Sequence, residues 1–419
     1  MILIIKKMIL SNNKKYTYLF FLLSLLISFY FSENSSGGSK LDAISGKIFI
    51  SVFSDNYMDG VRFFINTGHD HFPFFYMLIS WFEKFMSPVL VGLLYVIISS
   101  TIPLIFYNIL KKKFTYSDKN ILYLLSLILF FSPYIRSSAV WLTTDNLGII
   151  FFGLAISKYL SFEKKNHNYF KYSLQCFLFL ILASYIRQYY AIFFIIFFGL
   201  MVKKLKFKQL IAIIIFSTLV SLPALIYLYF YLLKNYINVD SNYIIDYLKP
   251  DIFFNILVFL SLCFFYFLPF LINTLNKDKI IALINKKKIN ISFITILFIF
   301  TFFFYDLPLS EFGGGIFYKI SKIINIKLFY FFSFIGALFL FVILNINLRN
   351  LTVYLLMIFC FPVMFIYQKY YDPLIYLLFF SLVNADFITD NLLKNRFNIK
   401  FIYIYLITFL LATNIYYIT

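Results

Sequence analysis

Long apolar stretches separated by short polar breaks dominate the chain, and their length, rather than any amphipathic period, predicts the elements. Crossing roughly 30 Å of hydrocarbon takes about 20 apolar residues in an α-helix. By that measure spans are expected near 16–32, 88–109, 120–135, 145–160, 172–186, 189–202, 209–233, 253–273, 289–305, 328–346, 351–367, 373–385 and 400–417. Residues 71–86 are apolar but interrupted, and they predict an interfacial or re-entrant helix following Pro73. The pattern is all-α and polytopic, with about 11–13 transmembrane helices. It forms a single transmembrane domain over 1–419, with 33–87 as the first extracytoplasmic loop.

The breaks alternate in charge. One set comprises the N-terminus, 111–113, 163–171, 203–208, 276–288, 347–350 and 386–400. With span-end lysines it carries 25 of the 37 Lys and Arg but only five of the 18 acidic residues. Basic loops stay on the cytoplasmic side, so this set and the N-terminus are expected there. The other set is 33–87, 136–144, 187–188, 234–252, 306–327 and 368–372, and it holds the remaining acids. Charge beside hydrocarbon is costly and marks a use, so the extracytoplasmic face is the working face.

Composition agrees with this reading and narrows it. Apolar residues make up 62% and charged residues 13% of the 419, a balance that no water-facing surface supports. The net charge of +19 resides in loop clusters, which argues for membrane topology and against nucleic acid. Cys176, Cys263 and Cys360 lie inside apolar runs, with neither metal spacing nor a disulfide framework. The start of the chain resembles a signal peptide, but its apolar run is long and lacks a small-x-small cleavage site, so a retained signal anchor is expected. GGG at 313–315 lacks the strand-to-helix context of a phosphate cradle and reads as a flexible turn. No metal site is indicated, and a requirement for a divalent cation stays open. The compartment is a bacterial inner membrane or an endoplasmic reticulum membrane.

Four polar elements carry the candidate chemistry. The first loop holds Asp55, Asp59, Arg62, His69, Asp70 and His71 within seventeen residues. Arg136 and Asp145 stand at the ends of adjacent spans. Arg187 and Gln188 interrupt an apolar stretch, and the planar guanidinium suits phosphate oxygens. The late turn YQKYYDP offers Lys369, Tyr370, Tyr371 and Asp372. Taken one at a time, these read equally as solvated loops, structural ion pairs, snorkelling cations or an aromatic belt. Taken together on one side, they suggest a site for an anionic lipid headgroup and a hydroxyl acceptor.

At these positions the sequence resembles the multi-spanning GT-C glycosyltransferases. Within that class it resembles the dolichyl-phosphate-glucose α-1,2-glucosyltransferases, which add the terminal glucose of the lipid-linked N-glycan precursor. YMD at 57–59 is similar to that family's Tyr-Met-Asp-Glu element, and Gly60 stands where the family has Glu. HDHFPFFYML at 69–78 is similar to its Asp followed by a Pro-containing apolar helix. LTTDNLG at 142–148 resembles its Tyr-Thr-Asp turn, and IRQYYAIF at 186–193 its Arg-Gln-Thr-Asn element.

The resemblance implies a GT-C-like fold that transfers a sugar, glucose among the candidates, from a polyprenyl-phosphate-sugar to a glycan or lipid-linked acceptor. The implied step is an inverting in-line displacement. Asp59 is the first candidate for general base, with Asp70 and Asp145 next. Arg187, Gln188, Lys369 and Arg136 are candidates for the donor phosphate. Asp55, His69, His71, Tyr370 and Asp372 are candidates for sugar or acceptor. The rival reading is a transporter or flippase of a polyprenyl-linked sugar, although no internal repeat of the kind common in transporters is visible.

Overall fold

The computed structural model describes residues 14–40, 42–68, 72–164, 168–232, 251–272, 277–309, 313–344, 347–361, 363, 366–384 and 396–418. The protein is an all-α polytopic membrane protein, and the described residues contain no strand. Five helices are long and apolar enough to cross a bilayer, or six when one bent pair is counted as a span. The remaining apolar runs are divided into shorter helices by prolines, glycines and polar breaks. Contacts gather the chain into two units. The first comprises residues 1–241 with 406–419, and the second 242–405.

In the first unit α1 (Lys14–Tyr30) is followed by α2 (Asp42–Asp55), α3 (Tyr57–Asn66) and α4 (Phe74–Glu83). Next come α5 (Pro88–Ser99) and α6 (Ile102–Lys113), which together form one crossing helix. Then follow α7 (Lys119–Leu127), α8 (Pro133–Trp141), α9 (Asp145–Lys164), α10 (Tyr169–Ile186), α11 (Phe193–Met201) and α12 (Phe207–Leu232). The last helix, α20 (Arg396–Ile418), contributes residues from Leu406 onward to this unit.

Two local rules set the boundaries near the site. Residues 136–144 were expected as a turn, but the chain is helical to Trp141. Ser132 caps α8, accepting from the Ile135 amide at 3.2 Å, and Pro133 takes the first helical position. The result is a 60° bend between the helical stretch Lys119–Phe131 and α8 instead of a loop.

Residues 188–204 run alongside α9. Phe193 packs on Phe152, Phe197 on Tyr159, and Lys204 donates to the Glu163 carbonyl at 3.0 Å. The stretch is a 3-10 turn (Gln188–Ile192), α11 and a second 3-10 turn (Val202–Lys204). With 3-10 rise near 2.0 Å and α rise near 1.5 Å per residue, it covers about 30 Å, the length of α9. An apolar segment thus matches a crossing without forming one long helix.

α12 shows what surrounds the protein. Its buried residues Ile213, Ser217, Tyr227 and Tyr231 form one stripe, while Ile214, Ile215, Leu219, Leu222, Leu225, Ile226 and Phe230 are exposed. A helix apolar all round and exposed over most of its girth is solvated by lipid.

The second unit holds α13 (Ile252–Ile272), α14 (Lys277–Lys286), α15 (Lys288–Phe304), α16 (Gly315–Ile324), α17 (Leu328–Leu338), α18 (Leu348–Phe359) and α19 (Leu374–Phe379), with the first part of α20. α13 is its axis. Gly336 of α17 crosses so close that a Cβ there would lie 1.9 Å from the Leu260 carbonyl oxygen, the use of small residues typical of helix contacts in membranes.

Candidate functional site

One charged group of the first unit is built on a three-residue turn. α8 ends at Leu142, whose φ of 52° places it in the left-handed region. A non-glycine residue there costs roughly 1–3 kcal/mol and persists only when its surroundings hold it. Here they do. The Thr143 carbonyl accepts from the Tyr95 hydroxyl and from Ser138 Oγ at 3.1 Å. The Asn146 amide donates to Ser138 Oγ at 3.2 Å, and its side chain donates to the Ile135 carbonyl at 2.9 Å.

The turn delivers Asp145 to the start of α9, where Thr143 Oγ1 donates to Asp145 Oδ2 at 3.4 Å. Asp145 Oδ1 lies 2.8 Å from Arg187 Nη2, with the two side chains 15% and 20% exposed. Arg187 ends α10 in extended conformation before the 3-10 turn that Gln188 opens; Gln188 is exposed. Gly148 permits the approach, because a Cβ there would stand 3.0 Å from the Tyr190 ring and 3.8 Å from Arg187 Cγ. The charges of both Asp145 and Arg187 act on Tyr76, Tyr95 and Tyr190, and Asp42 also acts on Tyr76. The pair is therefore largely buried, with a small part of each side chain open, and phenols lie close to it.

The apolar helix α4 of the first loop lies beside this pair. α4 packs Phe75 and Ile79 against Tyr95, Leu147 and Ile186, so it covers the ends of α5, α9 and α10. On its other side Tyr76 meets the rings of Phe49 and Phe64 at 5.1 and 5.5 Å. Of the stretch 71–86, expected as a re-entrant or interfacial helix, residues Phe74–Glu83 form α4. Within the motif, Asn56 caps α3, and Asp59 sits in its first turn, 59% exposed and 3.6 Å from the 74% exposed Arg62. Exposed pairs of this kind contribute little. Asp55 ends α2 and is exposed. Gly60 faces inward, and a Cβ would lie 2.4 Å from the Phe53 ring. Ring packing thus explains why position 60 is glycine. His69, Asp70 and His71 lie outside the described residues.

Arg136 is engaged elsewhere, with a residue the sequence reading did not single out. Its Nε donates to Glu33 Oε1 at 2.9 Å and its Nη2 to Glu33 Oε2 at 2.6 Å, with Ser24 and Ser28 adding contacts. Trp141 Nε1 donates to the Glu33 carbonyl at 2.9 Å, and Asn414 Nδ2 to Glu33 Oε1 at 3.3 Å. Burial pushes the Glu33 carboxyl up, but the Arg136 hydrogen bonds and charge, with those from Ser28 and Asn414, outweigh it and hold the carboxyl below its ordinary value. The only sequence signal was a single acid just past the first apolar run. Arg136 is thus the core of a knot joining α1, α8 and α20, apart from the Asp145–Arg187 pair.

In the second unit the late motif lies deeper than expected. The chain passes Asn255 at the start of α13, where Asn255 Nδ2 reaches the Val363 carbonyl at 3.4 Å, and then runs down beside that helix. Tyr266 donates to Asp372 Oδ2 at 2.8 Å and accepts from Gln368 Nε2 at 2.9 Å. Asn255 and Tyr266 are eleven residues apart, about 16 Å along α13. Residues 368–372, expected as an outer turn, pack beside α13, and Asp372 is only 3% exposed. Lys369 faces the Tyr367 ring at 5.7 Å, and Tyr370 stacks on Phe361 at 5.0 Å.

The glycine triplet, expected as a flexible turn, is docked. Gly313, Gly314 and Gly315 all have φ near 75°. Gly314 donates to the Ile366 carbonyl at 2.8 Å, and Ile316 at the start of α16 donates to Gln368 Oε1 at 3.0 Å. Only glycine takes three such residues in succession without strain.

Asp145 with Arg187, and Asp372 with Tyr266 and Gln368, are therefore two separate groups in two units. Among the described residues no cluster of three or more His, Cys, Asp or Glu forms around one point. The chain matches no protein-family model, no curated protein and no solved structure.

Proposed function

We propose that the protein is a membrane glycosyltransferase that moves a sugar from a polyprenyl-phosphate donor to a glycan or lipid-linked acceptor. In this reading a GT-C-like scaffold crosses the membrane about a dozen times, with the N-terminus on the cytoplasmic side and the site on the other. The observation that carries the reading is the largely buried pair of Asp145 and Arg187 at a held turn, walled by tyrosines and adjoining α4 of the first loop.

A guanidinium binds phosphate oxygens as readily as a carboxylate. A donor phosphate arriving at Arg187 competes with Asp145 for it. A carboxylate that loses its cation accepts protons more readily. The acceptor hydroxyl oxygen then attacks the anomeric carbon as its proton passes to Asp145. The bond from that carbon to the phosphate oxygen breaks, and polyprenyl phosphate leaves with the electron pair, its charge met by Arg187. Asp145 suits the base role better than Asp59, because Asp59 is mostly exposed and pairs with the exposed Arg62.

The test is release of polyprenyl phosphate by purified protein from a panel of polyprenyl-phosphate sugars, with acceptor present. Release with at least one donor, abolished in Asp145→Asn, is expected. Movement of donor across vesicles without release would replace this reading with the transporter.

A further inference from the structure

At the end of the first unit that carries Lys164 and Lys204, two lysines converge on one phenol. Lys14, the first residue of α1, donates to Tyr107 Oη at 3.3 Å. Its ammonium lies 5.5 Å from the Tyr107 ring centre and 5.7 Å from that of Tyr123. Lys111, in the last turn of α6, places its ammonium 5.2 Å from the same Tyr107 ring. The arrangement is fixed from behind, since the Tyr123 hydroxyl donates to the Lys14 carbonyl at 2.6 Å.

Among the described residues no carboxylate pairs with either ammonium. The Tyr107 oxygen accepts from Lys14, and its own proton is directed at no acceptor among those residues. Two cations and a hydroxyl proton thus converge, with no carboxylate among the described residues to meet them.

We propose that Lys14, Lys111 and Tyr107 seat the phosphate of an anionic phospholipid headgroup. The place fits the ligand. α1 carries Lys14 at one end and Tyr30 at the other, seventeen residues or about 25 Å of helix, close to the hydrocarbon thickness. Headgroups stand at that level, and Lys with Tyr is the side-chain pair that occupies it. The proposal rests on the membrane reading of the chain and is independent of the glycosyltransferase reading.

The experiment uses full-length protein in neutral detergent, titrated with phosphatidylglycerol, phosphatidylcholine or inorganic phosphate, with the thermal midpoint as the readout. Phosphatidylglycerol should raise the midpoint at lower concentration than phosphatidylcholine. Lys14→Gln with Lys111→Gln should weaken that response about thirtyfold. Lys203→Gln with Lys208→Gln, at the same end but away from Tyr107, should keep it. Tyr107→Phe removes one donor without removing charge and should weaken the response by a few-fold, so the site remains testable if the double lysine variant does not fold. Equal response to both lipids, or an unchanged response in the Lys14 and Lys111 variant or in Tyr107→Phe, overturns the proposal. A response to inorganic phosphate equal to that of phosphatidylglycerol overturns the lipid as its source.

Discussion

Asp145 and Arg187 come from the facing ends of two antiparallel helices, and their 2.8 Å ion pair lies where both helix dipoles favour it. An acid at a helix start and a cation at a helix end are each stabilised by roughly 0.3–1 kcal/mol. The pair therefore has a structural role as well as a chemical one, and its variants separate the two. Asp145→Asn keeps shape and hydrogen bonding but cannot take a proton, so transfer should fall about 10²–10⁴-fold. Arg187→Lys keeps charge but loses the planar fork, so donor affinity should fall while the melt changes less. Asp59→Asn should stay within a few-fold of wild type. A hundredfold loss there, with Asp145→Asn active, would return the base role to Asp59.

The knot around Glu33 predicts an acid-sensitive stability. Its carboxyl is held below the ordinary value of 4.5, so its contribution is complete above that pH and is lost as the pH falls through the lowered folded value. Glu33→Gln should flatten the acid limb of a melting-temperature profile. Arg136→Met leaves a largely buried carboxylate without its cation and should destabilise by about 3–5 kcal/mol, with Glu33→Gln in the same chain recovering much of the loss. Denaturation of the three variants between pH 7 and pH 3 checks the sign and the coupling.

Gly60 is fixed by the Phe53 ring. Gly60→Ala should destabilise by about 1–3 kcal/mol through overpacking. Gly60→Glu in a Phe53→Ala background should fold better than Gly60→Glu alone. If the added acid serves catalysis, that double variant should gain transfer activity over Phe53→Ala, which a radiolabelled donor would measure.

Gly336 offers a sharper test of packing in the second unit. A Cβ there meets backbone, the Leu260 carbonyl oxygen at 1.9 Å, and no side chain can swing away to make room. Gly336→Ala should therefore lower the melting temperature more than Gly60→Ala, whose obstacle is a side-chain ring. Gly199→Ala, with nothing within 4 Å, is the neutral control.

Sidedness is read by labelling. The three native cysteines are buried, so replacing them leaves a background for single probes. Met58→Cys should react with an impermeant maleimide from the extracytoplasmic side, and Lys286→Cys only after the cytoplasmic side is opened. The reverse pattern would move the Asp145–Arg187 pair to the cytoplasmic face and remove the basis for a lipid-linked donor there.

What the sequence determined by itself was local. Apolar length marked α12 and α13, and Pro73 marked the start of α4. The lysines at 111–113 and 203–204 marked one end of the first unit, and Arg187 marked the break after α10. Hydropathy, caps and prolines act within a few residues, so they are legible in one dimension.

Which charges meet was decided by the tertiary structure alone. Arg136 and Asp145 are nearer in sequence than Asp145 and Arg187, yet Asp145 pairs with Arg187, and Arg136 with Glu33, 103 positions away. Residues 368–372 read as an outer turn but pack beside α13, because Gln368 and Asp372 meet Tyr266 there and the interior offers buried polar groups no other solvent. Partner choice follows from the order and rotation in which helices pack, and neither is written in any single span.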